Sequence, residues 1–371
     1  MHVQRLWLTD FRNYETADAE LPPGLTVVVG GNGEGKTNLL EAVGYLTTLE
    51  SFRGAPGEAL VRQGCERAVV RGEGERAGRA LLIEAEIPAG GRTRGRARVA
   101  LNRQPLRRAA DLLGALVTTV FAPDDLELVK GGPAARRRYL DDVLVSLHPR
   151  NDALRRDLER ILRQRTALLR DAGGHLSPAL APTLDVWDAK LASVGDALGD
   201  ARADLVARVE PVVAKAYDDL AHGGGQTVGA TVSVEYDASW REEGLAVALA
   251  GSRAEELRRG VCLVGPHRDE LVLHIAAMPA RTHASQGEQR CLALALRLGA
   301  HHLVGETLGE PPILLLDDVF SELDADRGLA LLDHLPPGQA ILTTTGAVPP
   351  SARPEQVLTV AAGRLVEGPT G

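Results

Sequence analysis

The stretch "LTVVVGGNGEGKT", residues 25–37, decides the fold class of this chain. Its first five residues are an apolar run that predicts a buried strand, and residues 30–37 match the complete Walker A pattern G-x4-G-K-T. A helix is predicted over 36–49. Strand, glycine-rich loop and helix in this order predict a P-loop α/β domain.

Each residue type in this loop has a chemical reason. The glycines let the backbone curl so that successive N–H groups point inward at phosphate oxygens. Lys36 places a compact charge between the β- and γ-phosphates, and Thr37 offers a hydroxyl to Mg²⁺. The alternative is a glycine-rich turn that matches the pattern by chance. The predicted ATP-binding residues are Gly30, Gly31, Asn32, Gly33, Glu34, Gly35, Lys36 and Thr37.

The segment "ILLLDDVFSELD", residues 313–324, supplies a second motif. A buried apolar strand that ends in acidic residues is the Walker B arrangement, although a buried strand capped by a turn is the simpler alternative. Asp317 is predicted to bind Mg²⁺, and Asp318 is predicted to lie near the γ-phosphate. The distance from the first motif, about 280 residues, indicates a large insertion.

The segment "SQGEQR", residues 285–290, predicts the start of a helix. Ser285 and Glu288 form an S-x-x-E capping box, and capping alone would explain them. However, Gln286 and Gly287 are expected to leave the backbone bare at the cap, where an anion could approach the positive end of the helix dipole. We therefore predict that these three residues, Ser285 to Gly287, bind nucleotide.

The two ends of the chain share one character and the middle has another. Strands are expected at 2–10 and 25–29, with further short strands over 68–103, whereas residues 134–220 have the three- and four-residue apolar spacing of helices. From "VCLVG", 261–265, the pattern returns to the α/β type. The predicted domains are an N-terminal head part (1–122), a mostly helical arm (123–259) and a C-terminal head part (260–371).

Composition limits the compartment and the partners. The 371 residues carry a net charge of −8, show no basic segment followed by an apolar one at the start, and contain three cysteines that are far apart. Reduced thiols, no secretory signal and no run of about 18 apolar residues predict a cytoplasmic protein without a membrane partner.

Basic residues are concentrated in two places. One segment without acids contains Arg92, Arg94, Arg96, Arg98, Arg103, Arg107 and Arg108. The second cluster contains Arg136, Arg137, Arg138, Arg150, Arg155, Arg156, Arg160, Arg163, Arg165 and Arg170, against five acids. Solvated helix faces with i,i+4 pairs are one explanation. We favour contact with DNA phosphates, and the scarcity of aromatic residues favours duplex or junction DNA over a stacking groove.

Taken together, the motifs resemble one family. The segments "LTDFRNY", "GGNGEGKTNLLEA", "PDDLELVKGGPAARRRYLD", "GPHRDEL", "SQGEQR" and "LLLDDVFSELD" resemble, in this order, the bacterial recombination proteins of the RecF family, relatives of SMC proteins and ABC ATPases. The resemblance implies an ABC-type, SMC-like P-loop ATPase head with a short inserted helical arm. It also implies that Ser285 is a signature serine that contacts nucleotide held by a second subunit, and that Asp324 lies near the dimer seam.

The resemblance further implies a function. Such proteins dimerise on binding ATP and Mg²⁺, bind DNA, and work with RecO and RecR to load RecA at single-stranded gaps, in recombinational repair, replication restart and the SOS response. A weak DNA-dependent ATPase would act as a switch, with Lys36, Asp317, Asp318 and Ser285 as the catalytic set. The alternatives are an ABC transporter ATPase subunit and an ATP-dependent nuclease built on His267, Arg268 and Asp269; a structural turn is the simpler explanation of that last segment.

Three departures from the ABC pattern affect the site. Asp318 stands where ABC ATPases usually have Glu, so slow turnover is expected. No Gln occurs in "TTVFAPDDLELV", residues 118–129, and no His follows "AILTTT", residues 340–345. Hydroxyl groups of Thr343 to Thr345 are the expected substitutes for that His.

Overall fold

The computed structural model describes residues 1–90, 97–222, 231–346, 348 and 350–367. The chain forms two compact units, which are described separately. The first unit consists of Met1–Val129, Val212–Ala230 and Ala284–Gly371, and the second of Lys130–Pro211 and Thr231–His283.

The strands and helices have the following bounds. The strands are β1 (His2–Phe11), β2 (Tyr14–Glu20), β3 (Leu25–Val29), β4 (Arg67–Arg76), β5 (Arg79–Pro88), β6 (Arg98–Leu101), β7 (Gln104–Pro105), β8 (Thr118–Phe121), β9 (Val232–Asp237), β10 (Glu270–Ile275), β11 (Met278–Pro279), β12 (Ile313–Leu316), β13 (Ala340–Thr344), β14 (Gln356–Ala361) and β15 (Arg364–Glu367). The helices are α1 (Lys36–Thr48), α2 (Glu127–Lys130), α3 (Pro133–Leu147), α4 (Asn151–Asp171), α5 (Ala181–His222), α6 (Leu245–Arg259), α7 (Ala280–His283), α8 (Gln286–Leu308), α9 (Val319–Glu322) and α10 (Ala325–Asp333).

A mostly parallel sheet positions the functional residues of the first unit. Its strand order is β15-β14-β3-β13-β12-β8, and all neighbours are parallel except β14 and β15. All four residues of β12 and all five of β13 are buried, as expected for strands covered on both faces. Because β3, β12 and β13 run in the same direction, the loops that follow them meet at one edge of the sheet.

An antiparallel sheet, ordered β2-β1-β4-β5-β6-β7, forms the second layer of this unit. Its inward side chains share one hydrophobic core with helix α1, represented by Leu40 and Val43, and with Leu315 and Ile341 of the parallel sheet. The strands predicted over 68–103 are confirmed as β4, β5 and β6 within the described residues. The β1–β2 hairpin was not predicted, because its tight turn uses Arg12 with a positive φ of 54° instead of a glycine.

Helix α8 is the long buried helix of the first unit. The sequence pattern predicted its start at Ser285, which is the N-cap in the structure. In its middle, a Cβ atom on Gly299 would lie 2.6 Å from Val213 Cγ2 and 3.2 Å from Val213 N. The glycine therefore allows the last part of α5 to approach α8 closely within this unit.

The second unit combines helices with a small sheet. Helices α3, α4 and α6 and the part of α5 up to Pro211 accompany the antiparallel sheet β11-β10-β9. Arg165 is fully buried there and ion-pairs with Glu256 at 2.5 Å and with Asp188 at 2.6 Å. The helix-rich prediction for 134–220 is confirmed.

The boundaries of the two units differ from the predicted domain boundaries. Residues 260–283 were assigned to the head, but they lie in the second unit, and no strand forms at 261–265. These residues belong to the second unit because β10 pairs with β9 and because Arg136 Nε donates a hydrogen bond of 2.7 Å to Glu270 of β10. The apolar character of residues 261–265 therefore did not indicate which unit the segment joins. The predicted division into 1–122, 123–259 and 260–371 stays a prediction at the level of domains.

Membrane-spanning helices are absent from the part of the chain that the structure describes. No helix there combines sufficient length with sufficient apolar character to cross a bilayer.

Candidate nucleotide-binding site

The glycine-rich loop lies between β3 and α1, as the motif predicted. Gly33 and Gly35 have φ values of 80° and 122°, which favour glycine. Helix α1 has Gly35 as its N-cap and no side-chain cap, so its first N–H groups point into the loop. The buried Lys36 ammonium donates a hydrogen bond to Gly31 O at 2.8 Å. A ring of backbone donors with one cation inside it fits the phosphates of a nucleotide.

The turns of two hairpins, β1–β2 and β14–β15, form hydrogen bonds with this loop. Asn13, in the turn between β1 and β2, donates to Glu34 O at 2.7 Å and accepts from Asn38 Nδ2 at 2.8 Å. Glu34 O also accepts from Gly363 N at 3.0 Å, and the Glu34 carboxylate accepts from Ala362 N. The role of Asn13 was not predicted, because no local pattern links residue 13 to a loop that begins 17 positions later. Its position in "FRNY" was the only signal.

The acidic end of β12 meets this loop. Thr37 Oγ1 donates to Asp317 Oδ1 at 2.8 Å, and Thr343 Oγ1, at the end of β13, donates to the same oxygen at 2.8 Å. Burial raises the pKa of Asp317, while the hydrogen bonds from Thr343 and Thr37 and the charge of Arg53 oppose that rise. The predicted pair of Mg²⁺ ligands, Thr37 and Asp317, is therefore brought together.

The donor set fits Mg²⁺ in particular. Mg²⁺ is usually held by one or two carboxylates or hydroxyls of the protein, with phosphate oxygens and water completing the octahedron. Thr37 and Asp317 supply two such oxygens beside the phosphate loop. Within the described residues, no group of three or more His, Cys, Asp or Glu side chains could hold a metal ion.

Asp318 adopts a strained backbone conformation beside Asp317. Its φ and ψ are 48° and 33°, in the left-handed region, and its N–H donates to Thr343 Oγ1 at 2.9 Å. Its Oδ1 atom is buried and has no hydrogen-bond partner among the described residues. Such strain is typical of functional sites. Thr343 Oγ1 contacts both acids, whereas Thr344 Oγ1 accepts from Gly346 N and Thr345 is exposed. The substitution of these hydroxyl groups for the missing His stays a prediction.

The predicted capping box at the start of α8 is confirmed. Glu288 N donates to Ser285 Oγ at 3.3 Å, and Ser285 N donates to Glu288 Oε2 at 2.7 Å. Ser285 and Gln286 are exposed. The expectation that Gly287 leaves the backbone bare is wrong on one side, because Arg327 Nη1 lies 2.2 Å from the position that a Cβ atom on Gly287 would take. Ser285 thus presents an open surface beside a covered glycine.

The "GPHRDEL" segment is structural in the second unit. The buried Asp269 accepts hydrogen bonds from Trp240 Nε1 at 2.7 Å and from the Tyr236 hydroxyl. His267 Nε2 lies 3.1 Å from Cys262 O, and burial lowers the pKa of His267 to about 4. Arg268 donates to the same carbonyl at 2.8 Å. These contacts agree with a turn that anchors β10 and leave His267 and Asp269 in separate hydrogen-bond networks.

The arginine clusters divide into structural and exposed members. Arg136 and Arg165 are buried in ion pairs, so their assignment to phosphate contact is wrong. Arg155 and Arg156 pair with Asp152. The exposed members of the second cluster are Arg138, Arg150, Arg156, Arg160, Arg163 and Arg170. In the first cluster Arg98, Arg103, Arg107 and Arg108 are exposed, while Arg92, Arg94 and Arg96 lie outside the described residues.

Comparisons with known proteins agree with this geometry. Residues 2–341 match the family described as RecF/RecN/SMC N terminal domain. The DNA replication and repair protein RecF of Kineococcus radiotolerans is 44% identical over 394 aligned positions, which cover 99% of this chain and 100% of that protein. The RecF of Acidothermus cellulolyticus is 46% identical, with 94% of this chain and 95% of that protein covered.

Solved structures show the same likeness. A structure described as "the recombination mediator protein RecF-ATP in RecFOR pathway" has a TM-score of 0.88 and 27% identity, over 99% of this chain and 97% of that one. The Smc head domain of Pyrococcus furiosus has a TM-score of 0.57 at 15% identity, over 98% of this chain and 96% of that one, and so shares the fold alone.

The chain has the fold of ABC- and SMC-type ATPases, with a Walker A loop, a Walker B strand and a capped helix start in one unit. Within that class, the chain belongs to the RecF family.

Proposed function

We propose that this protein is an ATP-dependent DNA-binding protein of recombinational repair and replication restart, which helps to load RecA at single-stranded gaps together with RecO and RecR. One observation carries the ATP dependence: Thr37, Asp317 and Thr343 form a single hydrogen-bonded group beside the phosphate loop. The curated relatives, which are named DNA replication and repair proteins, support the cellular role.

ATP and Mg²⁺ would be held by the residues of this group. The N–H groups of residues 30–37 and the Lys36 ammonium would bind the phosphates, while Thr37 Oγ1 and Asp317 Oδ1 would hold Mg²⁺. Bound Mg²⁺ would neutralise charge on the β- and γ-phosphates. The buried Asp318 Oδ1, which has no partner among the described residues, would orient the attacking water.

The signature face would act on a second copy of the chain. The Ser285 hydroxyl makes its described hydrogen bond with Glu288 N in its own helix turn, and the residue is exposed. A helix N-terminus with an open serine suits an anion brought by another molecule. ATP would therefore lie between the phosphate loop of one chain and Ser285 to Gly287 of the other, and a weak DNA-dependent hydrolysis would open the dimer.

DNA would bind through the exposed arginines. On α4, Arg156, Arg160 and Arg163 are exposed at spacings of four and three residues, so they share one side of the helix. Arg156 pairs with Asp152 and Arg160 pairs with Asp157, so the charges of these two arginines are only partly available. Backbone contacts of this kind would give affinity that falls steeply with salt and carries little sequence preference.

The alternatives have less support. A transporter ATPase subunit would not be expected among relatives named for DNA replication and repair. A nuclease would need His267 and Asp269 to face one metal, whereas each is engaged in its own network of hydrogen bonds.

Sedimentation of a Ser285→Arg variant tests the proposal. Wild-type protein should sediment as a dimer with ATP and Mg²⁺, and the variant should stay monomeric while it binds ATP normally. Ser177→Arg is the matched control, because Ser177 is also an exposed serine that accepts an N–H at the start of a helix. ATP-dependent dimers of the Ser285 variant would refute the arrangement in trans. DNA binding over a salt series, with and without ATP, on single-stranded, duplex and gapped DNA then tests the DNA-binding role.

A further inference from the structure

Arg327 occupies the space where a side chain at position 287 would lie. A Cβ atom on Gly287 would be 2.2 Å from Arg327 Nη1 and 3.2 Å from its Cζ, far inside van der Waals contact. Gly287 lies in an ordinary helical turn, without the positive φ that would require glycine. The glycine in Ser-Gln-Gly is therefore explained by the guanidinium beside it, and conformational freedom is not needed.

The same arginine is tied to the segment that follows the Walker B acids. Asp324 is the N-cap of α10, and its Oδ1 accepts from Arg327 N at 2.9 Å. Its Oδ2 ion-pairs with Arg327 Nη1 at 3.1 Å. One carboxylate thus fixes both the backbone and the side chain of Arg327. The Arg327 guanidinium therefore lies between Asp324 and the first turn of α8.

The Arg327 side chain is buried. The residue is 6% exposed, and its buried Nε atom has no partner among the described residues. The ion pair with Asp324 offsets its charge in this place. Removing one member of such a pair leaves the other charge uncompensated, so the position of Arg327 depends on Asp324.

We propose that Arg327 is a positioning residue for the second half of the nucleotide site. It fixes the Ser285–Gly287 turn beside Asp324, in the surface that meets the γ-phosphate carried by a second copy of the chain. The ligand class is a nucleoside triphosphate bound in trans, so the inference rests on the proposed ATP-dependent dimer. Gly287 is required because any larger residue would displace the guanidinium.

A double-mutant cycle tests this arrangement. Arg327→Ala and Gly287→Ala should each weaken ATP-dependent dimerisation, measured by sedimentation velocity, by about tenfold or more, the usual cost of losing a hydrogen bond to a charged group. ATP binding to dilute monomer, followed with a fluorescent ATP analogue, should change less than about twofold because these residues do not touch the phosphate loop. The double variant should be no weaker than either single variant, since the new methyl group fills the space that the guanidinium leaves.

Conservative variants separate positioning from simple structural support. Arg327→Lys keeps the charge and should regain part of the ATP-dependent dimerisation, whereas Arg327→Gln should regain none. The proposal would be overturned if the losses of dimerisation in the two single variants added up in the double variant. It would also be overturned if Arg327→Ala dimerised with ATP as well as wild type does. If Arg327→Ala does not fold, Gly287→Ala with and without Arg327→Gln gives the same test.

The two proposals fail in different ways. If wild-type protein forms no dimer with ATP, both the proposed function and the role of Arg327 are wrong. If Ser285→Arg abolishes dimers while Arg327→Ala and Gly287→Ala leave them intact, only the role of Arg327 is wrong.

Discussion

Thr37 and Asp317 are 280 positions apart in the chain, yet the Thr37 hydroxyl donates a hydrogen bond of 2.8 Å to Asp317 Oδ1. The contact joins the first residues of α1 to the end of β12, and Thr343 donates to the same oxygen from the end of β13. Three chain segments thus meet at a single carboxylate oxygen. Its position beside the phosphate loop makes this oxygen the centre of the proposed Mg²⁺ site.

Removing the Thr37 hydroxyl should weaken the contribution of Mg²⁺ to nucleotide binding. We expect Thr37→Ala to bind ATP about tenfold more weakly in Mg²⁺ but equally well in EDTA, since one oxygen ligand is lost and the backbone cradle remains. Calorimetric titration with ATP measures both conditions. Thr37→Ser should behave as wild type, and Thr48→Ala, at the other end of α1, is the control. An unchanged response of Thr37→Ala to Mg²⁺ would contradict the site.

Asp318→Asn should separate ATP binding from hydrolysis. Asn tolerates the left-handed conformation that Asp318 adopts, so the turn should persist. Loss of a general base lowers the rate by about a hundredfold or more, and the ATP-bound dimer should become longer-lived. Phosphate release and sedimentation measure these two effects. Asp326→Asn, at an exposed position of α10, is the control, and normal turnover of Asp318→Asn would place the base elsewhere.

Asn13→Ala should loosen the phosphate loop without touching the phosphates. The variant loses the hydrogen bonds to Glu34 O and Asn38 Nδ2. Their net value of about 1 kcal/mol corresponds to a fall in ATP affinity of roughly fivefold. Asn38→Ala keeps the bond from Asn13 to Glu34 O. It loses the second bond and a long one of 3.4 Å from Arg53 Nη1, and it should bind ATP more tightly than Asn13→Ala in the same titration. Equal affinity of Asn13→Ala and wild type would show that the loop holds its shape alone.

His301 should make the stability of the protein depend on pH. Burial, and to a smaller extent the charge of His302, lowers the pKa of His301 from 6.5 to about 4. The unfolded chain therefore binds the proton more readily between these values, and stability falls as the pH drops through this window. Between pH 7 and pH 4, the free energy of unfolding of His301→Leu should fall by about 2–3 kcal/mol less than that of wild type. Urea unfolding at the two pH values measures this difference.

The neighbouring histidine provides the control for this measurement. His302 is 56% exposed and lies 3.1 Å from Glu306, so His302→Leu should leave the pH dependence close to that of wild type. Parallel stability curves of wild type and His301→Leu would show that His301 does not titrate as its burial indicates.

The nucleotide-binding motifs were predictable because their chemistry is local. A glycine-rich loop after an apolar strand, an acidic strand end and an S-x-x-E helix start each occupy a few consecutive residues, so the elements around Lys36, Asp317 and Ser285 were correctly predicted. Backbone geometry and hydrogen bonding act over such short distances that the residue types alone specify them.

Other features depend on contacts between distant segments. The sequence could not assign residues 260–283 to the second unit, since the pairing of β10 with β9 and the ion pair of Glu270 with Arg136 decide it. It also treated every arginine of a cluster alike, although Arg165 is buried in an ion pair and Arg163 is exposed.

The sequence by itself therefore determined the fold class and predicted the residues that would hold ATP and Mg²⁺. Only the tertiary structure decided what lies beside them: Asn13 against Glu34, and Arg327 against Gly287. The physical reason is that side-chain partners are chosen by packing and burial in three dimensions, and local residue spacing carries no record of them.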